Sequence, residues 1–128
     1  MKKIVLVLAA SVAAFCLAAS AGTARAASNS ISIASGTLVF GSQVTFAVNA
    51  VGNQQPALEN TCFQNGVEVL DQWEFWTFGA DPSWGTFTLG PTASWSGGAA
   101  DCTAYLVKRF SNGNIQRTAS VSYGVTGT

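Results

Sequence analysis

The sequence predicts an all-β fold, an antiparallel β-sandwich of about seven or eight short strands, on three observations. Beyond residue 26 apolar residues recur at every second position and at no helical period, the pattern of strands with one buried face. Clusters of Gly, Asn, Pro and Ser interrupt these runs about every 8 to 12 residues, the spacing of a small sandwich. The two cysteines past that point, Cys62 and Cys102, bracket a stretch that holds all four tryptophans.

The first 26 residues stand apart. Met1, Lys2 and Lys3 make a positive start, Ile4 to Ala19 is an apolar run, and Ala24-Arg25-Ala26 is a small-x-small cleavage signal, the three parts of a secretory signal peptide. The run is shorter than the roughly 20 residues that cross a bilayer. Residues 1–26 are therefore expected to be a helical signal peptide removed after Ala26, and residues 27–128 a single domain. Cys16 lies within the apolar run after Phe15, which does not suit a lipid-attachment site, and reads as a small hydrophobe. The mature chain is expected outside the cytoplasm, secreted or held at the cell surface or in the periplasm, with no transmembrane segment after cleavage.

Loss of the leader leaves Lys108, Arg109 and Arg117 against Glu59, Glu68, Asp71, Glu74, Asp81 and Asp101, a net charge of −3. Nucleic-acid affinity comes from clustered Lys and Arg, so no nucleic-acid partner is expected. An exported chain meets an oxidising compartment, where Cys62 and Cys102 are expected to form one disulfide. Closing that loop stabilises the fold by roughly 4 kcal/mol in the chain-entropy account.

In chain order, Ser30 to Ile33 alternates as a short edge strand until Ser35-Gly36. Leu38 to Phe40 is a brief apolar run, Gly41-Ser42 turns it, and Gln43 to Ala50 alternates with Val44, Phe46, Val48 and Ala50 inward. Gly52 to Asn60 has little that is apolar and is predicted as a loop. Thr61 to Gln64 and Val67 to Val69 flank Asn65-Gly66, the pair that suits a two-residue hairpin because both turn residues need positive φ. From Leu70 to Phe78 the aromatics Trp73, Phe75, Trp76 and Phe78 break simple alternation, which predicts a bulge or a strand covered on both faces. Gly79 to Gly85, with Asp81-Pro82, is a loop. Thr86 to Leu89 places Phe87 and Leu89 together, and Gly90-Pro91 and Ser96-Gly97-Gly98 are turns. Asp101 to Phe110 sets Cys102, Ala104, Leu106 and Lys108 against Thr103, Tyr105, Val107 and Arg109. Ser111 to Asn114 closes a hairpin, and Ile115 to Val125 returns as the last strand.

Gly41-Ser42-Gln43-Val44-Thr45-Phe46 resembles the second strand of bacterial secreted immunoglobulin-like domains. Asp101-Cys102-Thr103-Ala104-Tyr105-Leu106, with its hairpin and Thr118-Ala119-Ser120-Val121-Ser122, resembles their last two strands. The resemblance spans most of residues 30–126 and implies an immunoglobulin-like sandwich. The chain departs from the antibody-type pattern at Ala100, which stands where a tyrosine precedes the second cysteine. Cys62 also follows the strand that carries the first cysteine there, so whether the bridge crosses the two sheets stays open.

The chain has no histidine, the commonest general base and metal ligand, and no serine in a Gly-x-Ser-x-Gly elbow. Glu68, Asp71, Glu74 and Asp81 are close in sequence, yet a glycosidase pair needs one acid in an apolar pocket, and these acids suit a solvated face equally. No spaced Asp-x-Asp calcium loop occurs. The expectation is therefore a protein that is not an enzyme, with no catalytic residues, no metal and no cofactor.

Four tryptophans in about a hundred residues remain. Trp73, Trp76, Trp84 and Trp95 flank loops where aromatic platforms stack on sugars or enter a partner's pocket, and Tyr105 joins them as a candidate contact. One or two are expected to fill the core, with Trp84 the most exposed. Lys108, Arg109 and Arg117 suit a solvated edge that discourages strand-to-strand aggregation. Exclusion and the resemblance together imply a non-catalytic binding or adhesion module whose partner is a protein or glycan at the cell surface. The alternatives are a carbohydrate-binding module using exposed tryptophans and a self-associating structural subunit.

Overall fold

A computed structural model describes residues 28–52, 55–76 and 84–127. The predicted signal peptide with its cleavage site, Phe78, and the Asp81-Pro82 part of the predicted loop lie outside these residues. Seven strands form: β1 (Ser30–Gly36), β2 (Gln43–Asn49), β3 (Pro56–Gln64), β4 (Val67–Phe75), β5 (Thr86–Thr88), β6 (Ala100–Arg109) and β7 (Ile115–Val125). They make two antiparallel sheets, β1-β2-β5 and β4-β3-β6-β7, and among the described residues there is no helix.

The two sheets face one another across a common core, in which Val44, Phe46, Phe87 and Leu89 point inward as the alternation predicted. Ile31, Val44, Phe46, Phe87 and Leu89 come from the three-stranded side, and Leu58, Cys62, Leu70, Cys102, Ala104 and Leu106 from the four-stranded side. Trp95, in the connection from β5 to β6, is fully buried; it packs edge-on against Phe40 at 5.1 Å and donates from Nε1 to the Gly98 carbonyl. Residues 38–40 pass from β1 to the far sheet, where Val39 bridges Thr126 in parallel through Phe40 N to Thr126 O and Thr126 N to Leu38 O. Gly90, at φ 83°, makes room for that corner: a Cβ there would lie 2.6 Å from the Phe40 ring.

The principal correction concerns Gly52 to Asn60. The strand predicted from Thr61 begins at Pro56, and every residue from Pro56 to Cys62 is buried. β3 lies between β4 and β6, so both its edges are paired. Its inner face packs on the core and its outer face lies under the side chains of neighbouring strands, so neither face shows the apolar/polar alternation of a surface strand. Pro56 is tolerated as the first residue of a strand because the ladder loses only one donor there.

The bulge expected among the aromatics occurs earlier. The register shifts between Cys62↔Leu70 and Phe63↔Glu68, leaving Val69 unpaired in β4, and the extra residue lets adjacent Val69 and Leu70 both be buried. The Asn65-Gly66 hairpin forms as predicted, with φ of 51° and 79°. A second shift in β7 leaves Thr118 unpaired, its hydroxyl donating to the Leu106 carbonyl.

Cys62 and Cys102 stand directly opposite one another on β3 and β6, Cα atoms 4.1 Å apart, and are bonded. The bridge lies within the four-stranded sheet and does not cross to the other. Beside it Tyr123 packs inward on Phe46, and its hydroxyl donates to Asn60 Oδ1 at 2.6 Å. The strand between carries only Ala104 at the level of Asn60, and that small side chain lets the phenol reach β3.

The topology gives the sandwich two ends. The β2–β3 connection, the end of β4 and the β6–β7 hairpin share the upper end; the β3–β4 hairpin, the start of β6 and the end of β7 share the lower.

Candidate binding face

The outer face of β4-β3-β6-β7 is the surface on which the chain gathers its unusual residues. Its rows read across the sheet from the register. Phe75, Ala57, Val107 and Arg117 form the first; Trp73, Glu59, Tyr105 and Ser120 the second; Asp71, Thr61, Thr103 and Ser122 the third. Trp73 and Phe75 project from one face of β4 because side chains two apart in a strand do so. Their rings are parallel within 11°, centroids 5.9 Å apart.

Two arginines complete the surface. The Arg109 guanidinium lies 4.6 Å from the Phe75 ring centre, and that of Arg117 4.1 Å from Tyr105, contacts worth about 0.5–1 kcal/mol each at exposed sites. Arg117 Nη2 also meets Glu59 Oε1 at 2.7 Å, with Nε at 3.2 Å from the same oxygen. Beneath this cover Ala57, Glu59, Thr61 and Val107 are buried although they belong to the outward side.

A buried carboxylate is costly unless paired and hydrogen-bonded, and Glu59 is held by Arg117. Its hydrogen bond, foremost, raises the Arg117 pKa above its ordinary value. Asp71, one row below and one strand across, is also raised, first by desolvation and then by the charge and hydrogen bond of Glu59, with Glu68 adding and Arg117 opposing. The two carboxyls thus form a contiguous acidic pair flanked by Trp73 and Tyr105.

Glu59 is held by Arg117 and lies under its cover, while Asp71 is exposed on the same face. Of the other acids considered, Glu68 is exposed at the lower end, and Glu74 accepts from the Gly85 amide at 2.6 Å, tying β4 to the approach of β5. Asp81 lies outside the described residues. Among the described residues no three Cys, Asp or Glu side chains gather as a metal set.

Of the five predicted contact residues, the fold brings Trp73 and Tyr105 together on this face. Trp76 and Trp84 meet edge-on near the upper end, centroids 5.2 Å apart and planes at 81°. Trp84, expected to be the most exposed, is half-buried against the core because Gly85 and Phe87 lead it directly into β5. Trp95 lies wholly inside, so it is core and not a contact residue. Glu59, Phe75, Arg109 and Arg117 were absent from the predicted contact set. Had β3 been extended to Pro56, the alternation of Ala57, Glu59 and Thr61 against Leu58, Asn60 and Cys62 would have placed Glu59 on the outer face. No protein-family model, curated protein or solved structure matches this chain.

Proposed function

We propose that this chain is an exported, non-catalytic binding module of immunoglobulin-like type that holds a glycan on the outer face of β4-β3-β6-β7. The strand order supports the fold type: β3, β6 and β7 are neighbours as are the C, F and G strands of immunoglobulin sandwiches, while β4 joins their sheet instead of lying beside β5. The observation that carries the ligand class is the parallel Trp73–Phe75 pair set beside Glu59, Asp71 and Arg117. The Trp73 ring offers stacking area to the C–H face of a sugar. The exposed Asp71 carboxylate and Arg117 guanidinium offer an acceptor and donors to its hydroxyls, with Glu59 beneath holding Arg117 in place.

The experiment is calorimetric titration of the oxidised protein with a panel of soluble polysaccharides. One is expected to bind, and Trp73→Ala to weaken it about tenfold or more with unchanged circular dichroism. Absence of binding across the panel, or full affinity in Trp73→Ala, overturns this reading.

A further inference from the structure

Six large apolar side chains are exposed among the described residues, and they divide between the two ends. Val51, Phe75, Phe110 and Ile115 lie at the upper end, and Phe63 and Val67 at the lower. Charge divides with them. At the upper end Lys108 lies 5.3 Å from the Phe110 ring centre, and Arg109 pairs with Ile115 across the hairpin. At the lower end Phe63 stands between Glu68 on one side and Asp101 on the other. None of Lys108, Arg109, Glu68 and Asp101 has an ion-pair partner among the described residues.

The shapes differ as well. The upper end carries a groove of about 630 Å³ lined by Gly52, Gln55, Lys108, Phe110 and Ile115 among others. The lower end carries Val67, at 63% the most exposed of the six, on the narrow Asn65-Gly66 hairpin. A basic apolar groove and an acidic apolar knob at opposite ends of one molecule are complementary to each other and not to themselves.

We infer that the chain associates head to tail with a second copy, the β3–β4 hairpin of one molecule seated in the upper groove of the next. Such a contact joins two different patches, so each added molecule leaves one groove and one knob free, and the assembly grows as an open filament. The occupant is a second copy because the charge complementarity lies within the chain itself. Pairing through the β7 edge fits less well, since that edge is bulged at Thr118 and its lower end is met by Val39.

Sedimentation of the purified, oxidised protein over a wide concentration range tests this. The mass is expected to rise continuously with concentration. Ile115→Asp spoils only the groove and Val67→Asp only the knob, both at exposed positions; each alone is expected to lower the association constant about tenfold or more. Mixed together, they are expected to form a one-to-one dimer that grows no further, because one intact groove and one intact knob remain. The dimer would also show that both variants fold. Independently, Asp101→Lys is expected to weaken association strongly at low salt and little at about 1 M salt. A wild-type protein that stays monomeric, growth that stops at a dimer, single variants that assemble like wild type, or a mixture that stays monomeric each overturns the inference.

Discussion

Tyr123 shows how one polar residue is accommodated inside the sandwich. Burial raises its pKa to about 12, while its bond to Asn60 pulls the other way. Because the folded state holds this proton more tightly than an unfolded chain with a phenol near 10, the contribution to stability is complete below pH 10 and lost as pH rises through 12. Tyr105 and Tyr123 are the only tyrosines, so phenolate absorbance in a Tyr105→Phe background reports Tyr123 alone. Tyr123→Phe is expected to abolish the late step near pH 12 and to flatten the fall in urea stability between pH 10 and 12. At neutral pH the variant strands Asn60 Oδ1 in the core and is expected to lose about 1–3 kcal/mol. A retained step near pH 12 would assign it to Tyr105 and leave Tyr123 outside the core network.

At the scale of the element, β3 and β6 are held by a ladder, a core row and a covalent bridge at once. Cys62 and Cys102 join strands already paired in the native state, so the bridge acts chiefly on the unfolded chain, whose ends across a separation of 40 residues it keeps together. Cys62→Ala with Cys102→Ala is expected to cost roughly 4 kcal/mol by urea unfolding while leaving the strand pattern intact; a loss below about 1 kcal/mol would show an unfolded chain already compact across this loop. The same strands mark what the sequence could convey. β2, β6 and β7 were legible because each has one face inward, and Asn65-Gly66 because its chemistry is local. β3 was not, because burial on both faces erases alternation, and its Glu59 and Asn60 read as loop residues until Arg117 and Tyr123, 58 and 63 positions away, arrive as partners. The disulfide was legible from the cysteine count together with the expectation of export, and its confinement to one sheet was not. On the outer face Trp73 and Tyr105 were recognisable by residue type, while Arg117 acquires meaning only through register.

For the molecule as a whole, the two proposed surfaces adjoin only at Phe75 and Arg109. The outer sheet face runs along the sandwich, and the groove and knob lie at its ends, so head-to-tail growth leaves successive sheet faces exposed. Molecules aligned in this way would meet a repeating polymer with many sites, and multivalent contact raises apparent affinity by about 10² or more without any new contact. Enlarging the β6–β7 hairpin with a folded insert between Asn112 and Gly113, both exposed, blocks the groove without touching Trp73, Glu59 or Arg117. This variant is expected to bind a short oligosaccharide as wild type does, and to lose the concentration-dependent gain on the parent polymer that wild type shows by surface-immobilised binding. If short-oligosaccharide binding fell as well, the groove and the sheet face would be parts of one site. If polymer binding were unchanged, the sheet face would act on single molecules, and end-to-end contact would contribute nothing to it.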